Sequence, residues 1–366
     1  MDLVVSEELQ ELRKELRRFF ADKSPSAEVR RLMETAEGYD PAVWAQMAGQ
    51  LGLQGLAVPE ELGGAGFGMR EVAVVMEEMG RALVCSPYLS SSVLAATALL
   101  ASGDAGRAWL PGIADGTTRA TLAWSEGDGW DPGAVATTAR EYGGGWVLDG
   151  TKSYVLDGHT AGVVLVTARA GDGPALFAVD GDAPGFTRTP LPTLDQTRRL
   201  ARLDLDGVPA RLVLPEAGAA LERALDTAAV ALAAEQLGGA RRMLEMTVEY
   251  AKVRRQFGRP IGGFQAIKHR CADMFVLVES ACSAVAHAAA VADERPEELP
   301  AAAALAKAYC SDAYFEVAGE AIQIHGGIGF TWEHDAHLYF KRARSSQELF
   351  GPPARHRRRL ADLVGI

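Results

Sequence analysis

Two changes of hydrophobic period constrain the fold of this 366-residue chain more than any other feature. Near the start, Ser6 precedes two glutamates and then apolar residues at helical spacing, namely Leu9, Leu12, Leu16 and Phe19. This pattern predicts a helix with a serine N-cap and an acidic first turn. Helical spacing continues to about residue 110 and resumes after residue 217, with Leu237, Ala240 and Leu244 on one stripe. Helical regions therefore flank a different middle region.

The middle region has the pattern of a compact antiparallel β structure. Short apolar runs at residues 163–166 and 175–179 are separated by Gly, Pro and Asp, and Asp149-Gly150 lies between two further runs as a hairpin signal. The sequence therefore predicts an α+β chain that is mainly α. We expect an N-terminal helical domain over residues 1–118, a middle β-barrel-like domain over 119–216 and a C-terminal four-helix bundle over 217–366.

Charge and composition exclude several classes of function. The formal net charge is -11, which opposes binding to nucleic acid or to an anionic bilayer. We find neither an export signal nor an uninterrupted apolar run of membrane-spanning length. The four cysteines, at 85, 271, 282 and 310, have neither CxxC spacing nor a paired framework. This usage fits reduced thiols, and we expect a cytoplasmic protein.

Two motifs in the C-terminal region carry the strongest functional signal. Arg254-Arg255-Gln256-Phe257-Gly258 is followed by Gln265, which combines a permanent charge suited to a phosphate, an aromatic ring and an amide. The alternative interpretation is purely structural: a helix that ends at Gly258 and carries a solvent-exposed pair of arginines. Farther on, Gln323 precedes three glycines at 326, 327 and 329. Glycines permit a close approach of the backbone, and the spacing is not that of a Rossmann fingerprint.

Together the two motifs resemble those of the acyl-CoA dehydrogenase family, and the resemblance covers nearly the whole chain. The resemblance implies FAD as cofactor and a flavin site built from two chains. The cofactor-binding residues it implies in the two motifs are Arg254, Gln256, Phe257, Gln265, Gln323, Gly326 and Gly327. Of these, Arg254, Gln265, Gln323 and Gly327 would serve a neighbour's FAD. Ser125 would supply a hydroxyl and Tyr154 an aromatic contact to the chain's own FAD. Leu156 replaces a threonine of the family pattern, which removes one flavin hydrogen bond, worth about 1 kcal/mol.

The catalytic base that the resemblance implies is missing from its familiar places. Family members remove the α proton of an acyl-CoA thioester with a carboxylate while FAD accepts hydride from the β carbon. In many members the base is a C-terminal glutamate, where this chain has Phe350, followed by Gly351 and Pro352. The second family location falls at about Ala228, and Ala229 replaces an arginine that meets substrate.

Glu235 is the remaining candidate for the base. It is an isolated acid in an apolar stretch of the same helix as Ala228, nearly two turns and roughly 10 Å farther along. Burial would raise its proton affinity, as a base requires. The alternative is a structural glutamate paired with Arg242 or with an arginine of another chain. Glu348 is a weaker candidate. We expect no metal, because His334 and His337 lack a third donor motif.

Three hypotheses about function follow. The first is an FAD-dependent acyl-CoA dehydrogenase, a homo-tetramer with an unknown electron acceptor. The second is a partner-dependent subunit of an α2β2 heterotetramer in which a second dehydrogenase-like chain provides the base. Bacterial systems that degrade bulky steroid-like or polyketide-like acyl-CoAs use such unequal pairs, so a ring-bearing substrate fits this hypothesis. The third is a flavin-free interaction scaffold with the same fold. A flavin monooxygenase is a minor further alternative.

Overall fold

The computed structural model describes residues 6–127, 129–171 and 173–366. Its contacts divide the chain into two compact units. The first contains Met1–Arg30, described from Ser6, together with Met69–Val84 and Ala229–Ile366. The second contains Arg31–Gly68 and Cys85–Ala228. The helical sequence before residue 119 thus contributes to both units.

The helices are numbered in chain order. They are α1 Glu7–Lys23, α2 Ser26–Met33, α3 Pro41–Gly49, α4 Met69–Arg81, α5 Ala96–Leu100, α6 Leu110–Ala114, α7 Gly218–Val253, α8 Gln265–Glu294, α9 Leu299–His325, α10 Ala336–Glu348 and α11 Pro353–Val364. Helix α1 begins as predicted, because the Ser6 side chain accepts a hydrogen bond from the amide of Leu9. Its stripe is buried most deeply at Leu16 and Phe20.

The first unit is a helical bundle that combines most of the C-terminal helical region with α1 and α4. Helix α9 packs against α8, α10 and α11, while α4 packs against α1 and α8. Small residues allow close packing, with Ala288, Ala303 and Ala304 fully or almost fully buried. Helix α7 approaches α4 through two glycines, because a Cβ on Gly80 would overlap the carbonyl of Glu235 and one on Gly238 would overlap that of Glu77. These glycines fix where Glu235 lies.

Helix α8 is long and apolar enough to cross a bilayer by length and composition, a stretch that the sequence prediction of no membrane span did not identify. Half of its most apolar window is buried inside the protein. It packs against α4 and α9. A core helix meets the same criteria, so this is weak grounds for a membrane span.

The second unit is built on a seven-stranded sheet. Its strands are β1 Ala120–Ala123, β2 Thr138–Tyr142, β3 Gly145–Leu156, β4 Val163–Ala170, β5 Gly173–Asp180, β6 Phe186–Pro190 and β7 Leu200–Leu214. The order β4-β2-β3-β7-β5 closes on itself because β4 also pairs with β5, while β1 adds to β4 and β6 to β7. The enclosed core contains Leu148, Val164 and Phe177. The predicted barrel-like β structure is therefore present.

Two details of the sheet correct the sequence predictions. Asp149-Gly150 is not a hairpin turn: β3 runs through it for 12 residues, with an irregularity between Leu148 and Gly150. The Asp149 carboxylate instead accepts a hydrogen bond from the amide of Gly207, which bridges β3 to the neighbouring strand. The sheet is also not purely antiparallel, since β1 runs parallel to β4 and a single β2–β4 contact is parallel.

Candidate functional site

Ser125 lies just beyond the end of β1 and is almost fully buried. Its Oγ donates a hydrogen bond to the carbonyl of Gly129 at 2.9 Å, and its own carbonyl accepts one from the amide of Ser153, also at 2.9 Å. A serine hydroxyl carries one proton and two acceptor lone pairs. Ser125 therefore offers a ligand an acceptor rather than a donor.

Three aromatic rings next to Ser125 form what we call the aromatic wall: Trp124, Trp130 and Tyr154. The ring centroid of Trp130 lies 5.8 Å from that of Trp124 and 6.3 Å from that of Tyr154. The planes of the Trp130 and Tyr154 rings are inclined to each other by only 27°. Tyr154 is 38% exposed, whereas Trp124 is buried. The sequence prediction gave Trp130 no role, although a tryptophan inside a Gly/Asp turn was a usable signal.

Strand β3 is irregular where it carries Tyr154. The pairing with β7 shifts between Lys152 and Val155, and Tyr154 has φ +54°. A bulky residue in this region stores strain that its surroundings must hold, and such strain occurs often at functional sites. Two residues on, Leu156 is buried and its carbonyl accepts a hydrogen bond from Thr121. Its side chain therefore provides no hydroxyl near Tyr154.

An ion pair with a buried lysine joins the segments that carry Trp130 and Tyr154. The Lys152 side chain is fully buried, and its Nζ lies 2.6 Å from Oε1 of Glu126 and 3.1 Å from Oγ1 of Thr167. Burial lowers the pKa of Lys152 to about 8 against the opposing effect of Glu126. Burial alone would raise the pKa of Glu126, but hydrogen bonds from Lys152 and Thr137 outweigh it and lower that pKa.

The arginine motif of the first unit forms a hairpin and not the end of a helix. Helix α7 ends at Val253, and strands β8 (Arg255–Gln256) and β9 (Arg259–Pro260) pair across a two-residue turn. Both turn residues have positive φ, +50° at Phe257 and +81° at Gly258, as a tight hairpin turn of this hand requires. The Phe257 ring is 91% exposed at the tip. Arg254 and Gln256 are exposed beside it.

Helix α8 starts next to this hairpin. Its first residue, Gln265, is exposed, and its amide contacts the ring of His269 at 3.1 Å. The preceding Phe264 lies 4.0 Å from the guanidinium carbon of Arg259 and makes an edge contact with Phe257. These contacts fix the hairpin relative to the helix start, so the motif presents its polar residues on an ordered support.

The glycine motif follows helix α9. The helix ends as predicted at Gly326, which has φ +63°. Gln323 is exposed on its last turn. A Cβ on Gly326 or Gly327 would meet no described atom within 4 Å, whereas one on Gly329 would press on His325. Packing against His325 thus explains a glycine at position 329. No such contact explains Gly327, whose open backbone another molecule can approach.

The two motifs are joined through stacked rings. The ring of His325, which precedes the glycines, stacks on Tyr250 at 4.5 Å between centroids. The backbone carbonyl of Tyr250 in turn accepts a hydrogen bond from the amide of Arg254 at 2.9 Å. His325 also contacts His334 at 4.5 Å. Burial lowers the pKa of both imidazoles. Across the described ranges 6–127, 129–171 and 173–366, no group of three His, Cys, Asp or Glu side chains could hold a metal ion.

Glu235 is buried in an ion pair. Its carboxylate lies 2.7 Å from Nη1 of Arg342 on α10, and both side chains are less than 10% exposed. The partner is Arg342 of the same chain, whereas Arg242 lies near Glu245 instead. An adjacent guanidinium favours the charged carboxylate. Ala228 and Ala229, earlier on α7, are buried small residues.

Phe350 follows α10 in a strained turn. It is 6% exposed and has φ +61°, and Gly351 has φ +101°. The buried Lys307 ammonium donates to the carbonyls of Gln347 and Gly351, at 3.2 and 3.3 Å. The Phe350 carbonyl contacts Nε2 of His356 at 3.0 Å. This turn, where the family resemblance places the base, is held by two basic side chains. Glu348 before it pairs with Arg344 at the surface.

Comparisons with known proteins agree with this architecture. Sequence models of the acyl-CoA dehydrogenase N-terminal, middle and C-terminal domains match residues 6–117, 121–208 and 218–364. Acyl-CoA dehydrogenase IpdE2 of Mycobacterium tuberculosis is 40% identical over 361 residues, which cover 98% of each chain. A solved variant of the Tcur3481-Tcur3483 steroid ACAD has 36% identity and a TM-score of 0.89, covering 98% of each chain.

A second solved structure, the ChsE4-ChsE5 complex from Mycobacterium tuberculosis, has 30% identity and a TM-score of 0.91, and the match covers 100% of this chain and 99% of that one. The likeness thus extends over all three sequence regions and both units. It rests on sequence and fold together. The chain belongs to the acyl-CoA dehydrogenase family, a family of oxidoreductase enzymes.

Proposed function

We propose that this chain takes part in the FAD-dependent α,β-dehydrogenation of an acyl-CoA thioester as one of two unequal subunits, with the base supplied by the other. One observation carries the proposal. The turn that holds the base in many family members holds Phe350 here, and the two buried basic side chains Lys307 and His356 fix it. A phenyl ring cannot accept a proton, Ala228 occupies the second family location of the base, and Ala229 replaces the arginine that meets substrate.

The donor set of the first unit fits half of a flavin dinucleotide site. Arg254 offers an exposed permanent charge suited to a phosphate oxygen, while Gln256, Gln265 and Gln323 are exposed amides. Gly326 and Gly327 present backbone with open space around it. FAD would supply the hydride acceptor, and these residues would bind its phosphates. That FAD would be a neighbour's, whereas Ser125 and the aromatic wall, in the second unit, would face the ring system of the chain's own FAD.

Exposed apolar side chains support a multi-chain assembly. In the first unit, six apolar residues are 55–91% exposed, namely Val253, Phe257, Phe275, Val276, Phe330 and Trp332. Large exposed apolar side chains in numbers mark a protein interface. Val253 and Phe257 lie at the hairpin, and Phe330 and Trp332 lie at the end of the glycine motif and just after it, whereas Phe275 and Val276 lie on α8. We propose that a second dehydrogenase-like chain covers them, in an α2β2 heterotetramer.

The relatives suggest the class of substrate. One solved relative is named a steroid ACAD, and another is a complex of two differently named chains. We therefore propose a bulky, ring-bearing acyl group for this chain, and we propose that it acts in the cytoplasm.

A self-sufficient enzyme with Glu235 as base is the second candidate, favoured by the burial of that carboxylate. The pair with Arg342 supports a structural role instead. One experiment distinguishes the two candidate functions. The assembled enzyme is mixed anaerobically with acyl-CoA, and the bleaching of bound flavin is followed. We expect Glu235→Gln and Glu348→Gln to bleach at the wild-type rate. Loss of bleaching in Glu235→Gln, with flavin still bound, would make Glu235 the base.

A further inference from the structure

The loop that carries Trp130 is closed at its base by a single carboxylate. Oε2 of Glu126 accepts a hydrogen bond from the amide of Ala136 at 2.7 Å. Its Oε1 accepts from both the amide and the hydroxyl of Thr137, at 3.0 and 2.7 Å. The chain leaves Glu126, passes through Trp130 and returns at Ala136 beside its starting point. Glu126 therefore sets both ends of the loop.

Lys152 fixes that carboxylate to the sheet. The ammonium contacts Oε1 of Glu126 and the hydroxyl of Thr167 on β4, and its side chain is completely buried. Lys152 lies on β3 immediately before the irregular pairing and two residues before Tyr154. The same lysine thus ties the base of the Trp130 loop to the strained part of β3. The Lys152–Glu126 ion pair therefore connects the two segments that carry Trp130 and Tyr154.

Stability alone does not explain a buried lysine here. Burying an ammonium is costly, and replacing a buried ion pair by apolar side chains of similar size is often neutral or stabilising. A buried pair can instead select one geometry among several of similar energy. The geometry at stake here is the relative placement of Trp124, Trp130 and Tyr154. Hydrogen bonds from the Ser153 amide to the Ser125 carbonyl and from the Ser125 hydroxyl to the Gly129 carbonyl link the start of the loop to β3. The ion pair adds the link to the end of the loop, at Ala136 and Thr137.

We propose that Lys152 and Glu126 are positioning residues that hold Trp130 against Trp124 and Tyr154 and so set the shape of the aromatic wall for the flavin. The part that concerns the flavin rests on the proposed function. The part that concerns the wall is a property of the chain alone. Neither residue touches the reacting atoms, and both act through the aromatic rings.

The test uses two readouts on the full chain. Trp124 and Trp130 are close enough for exciton coupling, which circular dichroism detects, and Trp130→Phe identifies that signal. Binding of FAD is followed by quenching of flavin fluorescence, on the chain alone or on the co-expressed complex if only the complex binds. The main variant is Lys152→Met. The milder Thr137→Val removes only the hydroxyl contact, so it remains informative if Lys152→Met fails to fold.

Arg140→Gln is the matched control, because it removes an exposed pair with Asp149 at 3.5 Å in the same sheet. We expect Lys152→Met to lose the exciton signal and to weaken FAD binding by roughly tenfold, with a smaller change in the same direction for Thr137→Val and none for Arg140→Gln. A folded Lys152→Met or Thr137→Val protein that keeps the full exciton signal overturns the inference.

Loss of the exciton signal with unchanged FAD affinity also overturns it, because the wall would then be fixed without consequence for the flavin. Failure of the wild-type chain and of the complex to bind FAD would instead contradict the proposed function. In that case the exciton signal still decides whether the ion pair holds the wall. The two failures are therefore distinguishable.

Discussion

At the scale of single residues, the buried pair Glu235–Arg342 has the clearest energetic consequence. Removing one partner of a buried ion pair costs about 3–5 kcal/mol, because the other charge stays buried. We expect Arg342→Met to lower the free energy of unfolding by roughly that amount. Denaturant unfolding measures it. Arg344→Met, which breaks the exposed pair with Glu348, should cost at most about 1 kcal/mol. Equal effects of the two changes would contradict a structural role for the buried pair.

His356 predicts how stability depends on pH. Burial, with the nearby Lys307 charge, lowers its pKa to about 4 from the ordinary 6.5. As pH falls from about 6.5 to about 4, the unfolded chain binds the proton first, so this histidine lowers the stability by up to about 3 kcal/mol. His356→Gln should flatten that part of the profile. Thermal melts between pH 7 and pH 4 test this, and a loss of stability as steep in His356→Gln as in the wild type would contradict it.

Residue-level inference from the sequence succeeded where the cause is local. The cap at Ser6 needs only its own backbone and the next turn, and the structure confirms it. The Lys152–Glu126 pair was missed because its partners are 26 positions apart and no local pattern records the contact. Trp130 was missed although a local signal was present. The pairing of Glu235 was anticipated as an alternative, but the partner on α10 is 107 positions away.

At the scale of secondary-structure elements, the glycines between α4 and α7 give a sharp prediction. A Cβ on Gly238 would overlap the carbonyl of Glu77 in the facing helix. Gly238→Ala should therefore destabilise the protein by about 3 kcal/mol or more, as measured by denaturant unfolding. The control is Gly319→Ala in α9, where the nearest atom to the new Cβ is 3.8 Å away on Phe340.

Helix propensity favours alanine over glycine by about 0.5–1 kcal/mol, so Gly319→Ala should be neutral or stabilising. A Gly238→Ala protein as stable as Gly319→Ala would show that the two helices separate easily. The position of Glu235 would then be less fixed than the structure indicates.

Elements were predicted well where their period is long and regular, as in α7, α8 and α9. One element prediction failed. Asp149-Gly150 has the composition of a turn, but pairing with β7 on one side carries β3 straight through it, so a tertiary contact decided against local propensity. The helix end at Gly258, which was the alternative for the arginine motif, is not found, since Phe257 and Gly258 adopt positive φ and reverse the chain into a hairpin.

At the scale of the whole molecule, the sequence predicted the α+β class, the helix–strand–helix order and the family. Spacing supplied the first two, and the glycine and arginine motifs supplied the third. Closure of the sheet through β4–β5 could not be predicted, because strand order depends on pairings that periodicity does not encode. The apolar side chains exposed at the hairpin are a further feature that the chain alone does not explain, because we propose that a second chain covers them.

The most direct test of the central claim is the flavin content of the chain produced alone and with a dehydrogenase-like partner encoded beside it. We predict that the chain alone is nearly colourless, whereas the co-expressed complex carries FAD that acyl-CoA bleaches anaerobically. Phe257→Ser should reduce recovery of the complex without unfolding the chain, because the ring is exposed. A yellow chain that is bleached by acyl-CoA with no partner present would contradict the account.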